Sequence, residues 1–281
     1  MAEVGDKFLM CPPDFFTIDY VINPWMAGHE TSLDIGLAEQ QWNNLKSAID
    51  KVAEVVTMAP QPDLPDMVFT ANAGAVYGKK AIASHFMPHE RRLEEPHFKK
   101  WFRDHDFDLL DLDDKIGFEG AGDCLLDRGG PWLWTGYGFR TEIEAHEEIR
   151  KFFNIELVSI RLTDSRFYHI DTCFCPLTGG YLLYHPPAFD FDSRMAIEAR
   201  IPPHKRIVVD TADAGNFACN AVNVGNHVFL NQASDPLKAQ LMLAGFKVVE
   251  IGLSEFLKAG GSAKCLTLNL IEPVRDRSLA S

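Results

Sequence analysis

Several features are missing from this 281-residue sequence, and each absence narrows what the chain can do. No stretch approaches the roughly eighteen unbroken apolar residues that a membrane span requires, so no membrane partner is expected. The start, "MAEVGDKFLMCPPDFF", has acids and prolines where a signal peptide needs a basic beginning and an apolar run. A protein of the cytoplasm is the simplest reading. Basic charge is short: 27 Lys and Arg stand against 40 Asp and Glu, a formal charge of −13. Without a basic stripe there is nothing to neutralise phosphates, which argues against nucleic acid, while the acidic excess favours the approach of a small cation. There is no CxxC pair among the six cysteines, which are scattered through a chain long enough to build a large core. A disulfide framework is therefore not expected. Cys173 and Cys175 alternate as strand neighbours do, but their apolar surroundings suit small buried residues better than metal ligands. No linker or shift in composition divides the chain, so 1–281 is read as one domain, with a polar tail at 273–281 expected to fray.

What is present is a repeat. "NAGAVYGKKAIAS" (72–84), "GDCLLDRGGPWLWTG" (122–136), "DTCFCPLTGGYLLYH" (171–185) and "NAVNVGNHVFLN" (220–231) each join two apolar runs through a glycine-containing turn, the pattern of a β-hairpin. "CLTLNLIE" (265–272) is a shortened fifth copy. The starts recur about every 45 to 50 residues. Between hairpins lie segments of helical spacing at 89–105, 141–153, 193–201 and 234–246, with Thr141 and Ser234 as N-cap candidates. Each is followed by a short strand. Residues 31–60 offer a helix and strand lacking a hairpin, and the C-terminal copy offers a hairpin strand lacking a helix. The two ends complement each other, as in a closed ring. The pattern predicts an α/β fold, a five-bladed pseudo-symmetric propeller of ββαβ repeats. An irregular α/β sheet is the alternative.

Rotational repetition would gather residues of equal phase around one axis. The hairpin starts supply Asn72, Glu119 with Asp123, His169 with Asp171, Asn220 and Cys265. Taken singly, each has an ordinary explanation. The aspartates could cap turns, His169 could be a hydrogen-bonded core histidine, and Cys265 a small buried residue. Glu119 could be a loop acid, although the glycines around it in "GFEGAGD" suggest close backbone approach. Together they offer a thiol, an imidazole and carboxylates to one pocket. A thiolate needs a nearby cation or base, and His169 is the candidate of matching phase.

The segments "PDMVFTAN", "FEGAGD", "FRTE", "YHIDTCF", "NAVNVG" and "GGSAKCLTL" resemble the guanidine-modifying enzymes of the pentein superfamily, the amidinotransferase and dimethylarginine dimethylaminohydrolase group. The resemblance runs from about residue 20 to residue 272. It implies that Cys265 attacks a guanidinium carbon and that His169 serves as general acid and then base. It also implies that Glu119 and Asp171 are catalytic carboxylates and that Asp66 and Asp123 lie on the substrate side. Arg91 and Arg140 match arginines that clamp an α-carboxylate. Neither metal nor organic cofactor is implied. The partner is a small molecule, arginine or a substituted arginine; a homo-oligomer is left open.

Length and one residue choose within the group. No inserted helical module of the bacterial deiminase type is present, and amidinotransferases are longer. Where deiminases and dimethylarginine hydrolases generally have an aspartate, this chain has Asn72, and with Asn23 in "VINPW" it resembles the arginine dihydrolases. An aspartate grips a guanidinium but offers no donor to the ureido oxygen of citrulline, whereas an asparagine does. The leading expectation is hydrolysis of arginine to ornithine, ammonia and carbon dioxide through an amidino-cysteine. The runner-up is a hydrolase that stops at citrulline. An amidinotransferase and a non-catalytic binding propeller rank below.

Overall fold

The computed structural model describes residues 5–271; the tail expected to fray at 273–281 lies outside the described residues. The chain begins with strand β1 (Lys7–Met10), helix α1 (Ile35–Ile49) and β2 (Glu54–Thr57). Three complete units follow: β3 (Gly74–Tyr77), β4 (Lys80–Ala83), α2 (Glu95–Asp104) and β5 (Asp108–Leu110); β6 (Cys124–Leu126), β7 (Trp132–Tyr137), α3 (Glu144–Phe153) and β8 (Glu156–Arg161); β9 (Phe174–Leu177), β10 (Tyr181–Tyr184), α4 (Phe191–Arg200) and β11 (Arg206–Val208). After a short helix α5 (Thr211–Gly215) comes a further unit, β12 (Val222–Val224), β13 (His227–Leu230), α6 (Asp235–Leu243) and β14 (Lys247–Glu250). A short α7 (Ser254–Leu257) leads to β15 (Leu268–Ile271).

In each sheet the middle strand pairs antiparallel with its hairpin partner and parallel with the strand that follows the helix. The crossover helix is what permits the parallel pairing. Closure of the ring is literal: β15 pairs antiparallel with β1, and β1 pairs parallel with β2. The architecture is thus an α/β fold of five pseudo-repeated ββαβ-like units, a pentein propeller. Adjacent units touch through their hairpin-first strands, β15 with β3 and β9 with both β6 and β12. The residues just before those strands are thereby brought to the middle of the ring.

Local rules account for the helices. Ser234 accepts from the Leu237 N–H and opens α6, as its sequence suggests, and Leu237 and Leu241 supply the buried stripe one turn apart. Asp34 and Asp190 cap α1 and α4 in the same way. The core lies between helices and sheets, with Trp134, Phe174, Phe102 and Phe256 fully enclosed. Burying each such ring contributes roughly 2–3 kcal/mol.

Three expectations need correction. Thr141 does not cap α3, whose N-cap is Ile143 without a side-chain bond. Thr141 instead accepts from the Glu119 N–H and donates to Asp123. Cys265 does not open the last strand. It lies in a tight turn that ends before Leu268, closed by the Leu266 N–H on the Ser262 carbonyl and the Thr267 N–H on the Lys264 carbonyl. The strand that completes the ring, β1, falls in a segment for which the sequence predicts no element, since four residues beside prolines carry little periodicity. Among the described residues no helix is long and apolar enough to cross a membrane.

Candidate active site

A small pocket opens in the middle of the ring, and its walls come from several units. Ile22, Asn23 and Met26 reach it from the loop after β1; Asp66, Phe69 and Asn72 from the segment before β3; Arg91, Arg140 and Tyr168 from successive units; Gly261 and Cys265 from the final turn. Of the residues that share a repeat phase, Asn72 and Cys265 line the pocket, while Glu119, His169, Asp171 and Asn220 are buried without lining it. Hydrogen bonds link them, from Asn72 to Glu119, from His169 to Glu119 and from Asn220 to Cys265.

Cys265 is 3% exposed and its sulfur has two close polar neighbours. The Asn220 amide donates to Sγ at 3.1 Å, and the carboxylate of Asp171 lies 3.7 Å away. Burial, and then the charge of Asp171, push the thiol well above its ordinary pKa, against the opposing pull of the Ser262 backbone, the Asn220 amide and Lys264. The resting sulfur is therefore a thiol whose hydrogen points toward Asp171. Burial raises Asp171 itself to about 6, although His169 and Lys264 work in the other direction.

Behind this pair stands the Glu119–His169 couple. Glu119 is fully buried, which rules out a surface loop acid. Its Oε2 receives the His169 Nε2 at 2.8 Å and the Arg140 Nη1 at 3.0 Å, and its Oε1 accepts from the Met87 N–H. Burial would raise its pKa, but Arg140 and the His169 hydrogen bond outweigh burial and hold it down at about 2. An ionised carboxylate only accepts, so the shared hydrogen sits on Nε2. The glycine suspected of permitting close approach does so: a Cβ on Gly122 would lie 2.6 Å from the Asn72 amide nitrogen and 3.0 Å from the His169 ring. Asp123 is drawn to the supporting layer. Its two oxygens are taken by Thr141 and by the Ile170 N–H, and it is not among the pocket-lining residues.

The remaining polar residues divide into occupied and available. Asp66 takes a hydrogen bond from Tyr20 on Oδ2, while its buried Oδ1 has no partner among the described residues. Burial raises its pKa despite Arg91 and Tyr20. Asn72 accepts from Arg91 on Oδ1 and donates to the Glu119 carbonyl, leaving one N–H unspent. Arg91 and Arg140, which the resemblance implies clamp an α-carboxylate, differ in capacity. Arg91 makes a bidentate bond to Glu94 at 2.9 and 2.8 Å and also bonds Asn72 and the Asp66 carbonyl. Of five guanidinium N–H groups it has one left. Burial disfavours its charge, but Glu94 and Asp66 raise its pKa further. Arg140 has spent two, on Glu119 and the Ile22 carbonyl, and lies over the Tyr168 ring. Asn23 ties its loop to the final turn by donating to the Ala259 carbonyl, and its own Oδ1 accepts from the Trp25 N–H.

The glycines before the cysteine also find their reason. A Cβ on Gly261 would stand 2.5 Å from the Phe69 ring, so glycine there lets the aromatic wall pack against the turn. All six cysteines are buried, and Cys173 precedes β9 while Cys175 lies within it. Among the described residues no group of three or more His, Cys, Asp or Glu is placed to hold a metal.

A family profile described as "N,N dimethylarginine dimethylhydrolase, eukaryotic" matches residues 23–272. The chain belongs to the dimethylarginine dimethylaminohydrolase family. Its kinship within the pentein superfamily is close to the arginine dihydrolases. A bifunctional arginine dihydrolase/ornithine cyclodeaminase, ArgZ of Synechocystis sp., is 55% identical over 268 residues. That alignment covers 95% of this chain but 38% of the relative, so the chain spans well under half of the relative's length. The crystal structure of the ArgZ N-terminal domain, a cysteine-to-serine variant bound to substrate, superposes with a TM-score of 0.94 at 54% identity, covering 95% of this chain and 99% of that one. An asparagine-to-serine variant of the same domain, covalently bound to a reaction intermediate, also gives 0.94 at 54% identity, covering 95% and 98%. Among the site residues, the repeat phase marks Asn220 without giving it a role, and no sequence signal marks Tyr168, Phe69 or Tyr20. An aromatic wall leaves no spacing signature in a sequence.

Proposed function

We propose that residues 1–281 act as one cytoplasmic catalytic domain that hydrolyses the guanidinium group of arginine, by way of citrulline, to ornithine, ammonia and carbon dioxide. The observation that carries the reading is Cys265 in the wall of a pocket whose other walls hold Asp66, with its Oδ1 unsatisfied, and a donor amide, Asn72. The cytoplasmic placement rests on the sequence alone.

The residues present support the following steps. An incoming guanidinium brings a positive charge beside Asp66, Asp171 and the thiol, which reverses the electrostatic balance that keeps the sulfur protonated. The Cys265 thiol passes its proton to Asp171, the carboxylate it already faces, and regains it when the C–S bond later breaks. The thiolate adds to the guanidinium carbon, forming a C–S bond. Ammonia leaves as that carbon's C–N bond breaks, taking its proton from His169, which Glu119 orients. Water then adds to the amidino-sulfur carbon, giving its proton back to His169, and the C–S bond breaks to yield citrulline and free Cys265. Retained by the Asn72 amide, citrulline undergoes a second addition and loss of ammonia. Water releases a carbamate that loses carbon dioxide to give ornithine. Arg140 is the better placed of the two arginines to receive the substrate's α-carboxylate, because it keeps more donors free.

One observation favours the runner-up, a hydrolase that stops at citrulline: both ends of the Asn72 amide already serve the protein, through Arg91 and Glu119. Incubation with arginine, following citrulline, ornithine and ammonia by mass spectrometry, separates the two. Ornithine with two equivalents of ammonia supports the dihydrolase; accumulation of citrulline with one equivalent replaces it with the runner-up; no turnover removes both.

A further inference from the structure

Asn220 is wholly buried, and every one of its hydrogen-bonding groups is directed at the nucleophile's surroundings. Its Oδ1 accepts from three backbone N–H groups of the final turn, those of Ser262, Lys264 and Cys265, each at 3.1 Å. Its amide nitrogen donates to the Asp171 carbonyl at 3.0 Å and to Cys265 Sγ at 3.1 Å. Three N–H groups converging on one atom fix which end of the amide is oxygen, so the other end must be the donor that faces the sulfur. The side chain has no rotational freedom left. It comes from the unit of β12 and β13, whereas the turn it gathers belongs to β15, and Asp171 to the unit of β9 and β10.

We propose that Asn220 positions the nucleophile and stabilises its ionised form. The amide pins the turn that carries Cys265, sets the distance from Sγ to Asp171, and aims one N–H at the sulfur. A hydrogen bond to an ionised acceptor is roughly twice as strong as one to a neutral acceptor. The contact therefore strengthens as the thiol loses its proton, in the step where the substrate's carbon is attacked. The role within turnover rests on the hydrolase reading above, but the effect on the sulfur is a property of the empty protein and can be measured without substrate.

The test is the rate at which iodoacetamide labels Cys265, read by mass spectrometry from pH 6 to pH 10. Asn220→Asp keeps the oxygen that gathers the turn and loses the donor; Asn220→Ala is neutral, has no donor, and separates loss of the donor from added charge. In both, labelling should move at least about one pH unit to the alkaline side, about a tenfold slower reaction at fixed pH. Arginine kcat should fall by a larger factor than KM changes. A curve unmoved in both folded variants overturns the proposal, because a merely structural role lowers the melting temperature without displacing the curve. Should neither variant fold, the unmodified protein still decides. The Asn220 side-chain amide proton, followed by NMR in 15N-labelled protein, must shift when Cys265→Ala removes its acceptor, and an unmoved proton overturns the assignment. Displaced labelling with no arginine turnover would sink the hydrolase reading and leave the role of Asn220 standing.

Discussion

Replacing Asn72 by aspartate changes one NH2 group into one oxygen, and the surroundings say what that does. Asn72 is 3% exposed, with Oδ1 3.0 Å from Arg91 Nη1 and Nδ2 3.1 Å from the Glu119 carbonyl. In Asn72→Asp the contact to Arg91 survives and becomes charge-assisted. The contact to Glu119 becomes oxygen against oxygen, leaving a buried carbonyl unpaired at a cost of about 1–3 kcal/mol. The protein should fold with a melting temperature several degrees lower, at about 2–4 °C per kcal/mol for a large domain. Chemistry should respond unequally. A guanidinium tolerates the added carboxylate, so loss of arginine should continue within about tenfold of the original rate. Citrulline loses its donor and meets a carboxylate, and one such hydrogen bond is worth about 1–3 kcal/mol, or about 5- to 150-fold in the second step. Chromatography with mass detection should show citrulline replacing ornithine, with ammonia falling from two equivalents toward one. Unchanged ornithine yield and rate in Asn72→Asp would refute the idea that this amide retains citrulline.

Cys265→Ser should abolish turnover while preserving the fold, since an alcohol is a far weaker nucleophile at neutral pH; measurable steady-state activity in that variant would overturn the nucleophile. Arg140→Ala should raise KM for arginine and lower kcat, because it also removes a partner of Glu119. Arg91→Ala should instead destabilise by about 3–5 kcal/mol, as Glu94 is left buried without its cation. Adding Glu94→Gln should restore part of that loss in urea denaturation, and no restoration would contradict the paired-charge argument. The pH dependence has a definite sign. Asp171, pushed up from 3.8 to about 6 by burial, holds its proton more tightly folded than unfolded, so it costs stability above pH 6 and ceases to do so below about pH 4. Asp171→Asn should therefore stabilise by about 3 kcal/mol at pH 8 relative to its effect at pH 4; an equal effect at both pH values would reject the buried, raised carboxylate.

The sequence by itself determined the repeat, because hairpin turns and helix periods are local and each unit writes them again. Four hairpins, the helices between them, the Ser234 cap and the complementarity of the two ends could be read along the chain, whereas β1, the strand through which the ring closes, could not. So could the residue types of the site, since Asn72, Glu119, His169, Asn220 and Cys265 recur at one phase, and rotation turns equal phase into proximity. What only the tertiary structure decided is which partner each group has. Thr141 looks like a helix cap, yet the buried carboxylate of Asp123, from its own unit, outcompetes the helix end for its hydroxyl. Arg91 and Arg140 look equivalent, but Glu94 is three residues from Arg91 and consumes it, while Arg140 keeps free donors. Asn220 looks like one more polar residue before a strand until three N–H groups from the last turn converge on its oxygen. Hydrogen bonds are short and directional, so choosing among partners that lie tens of residues apart requires distances, which exist only once the ring has closed.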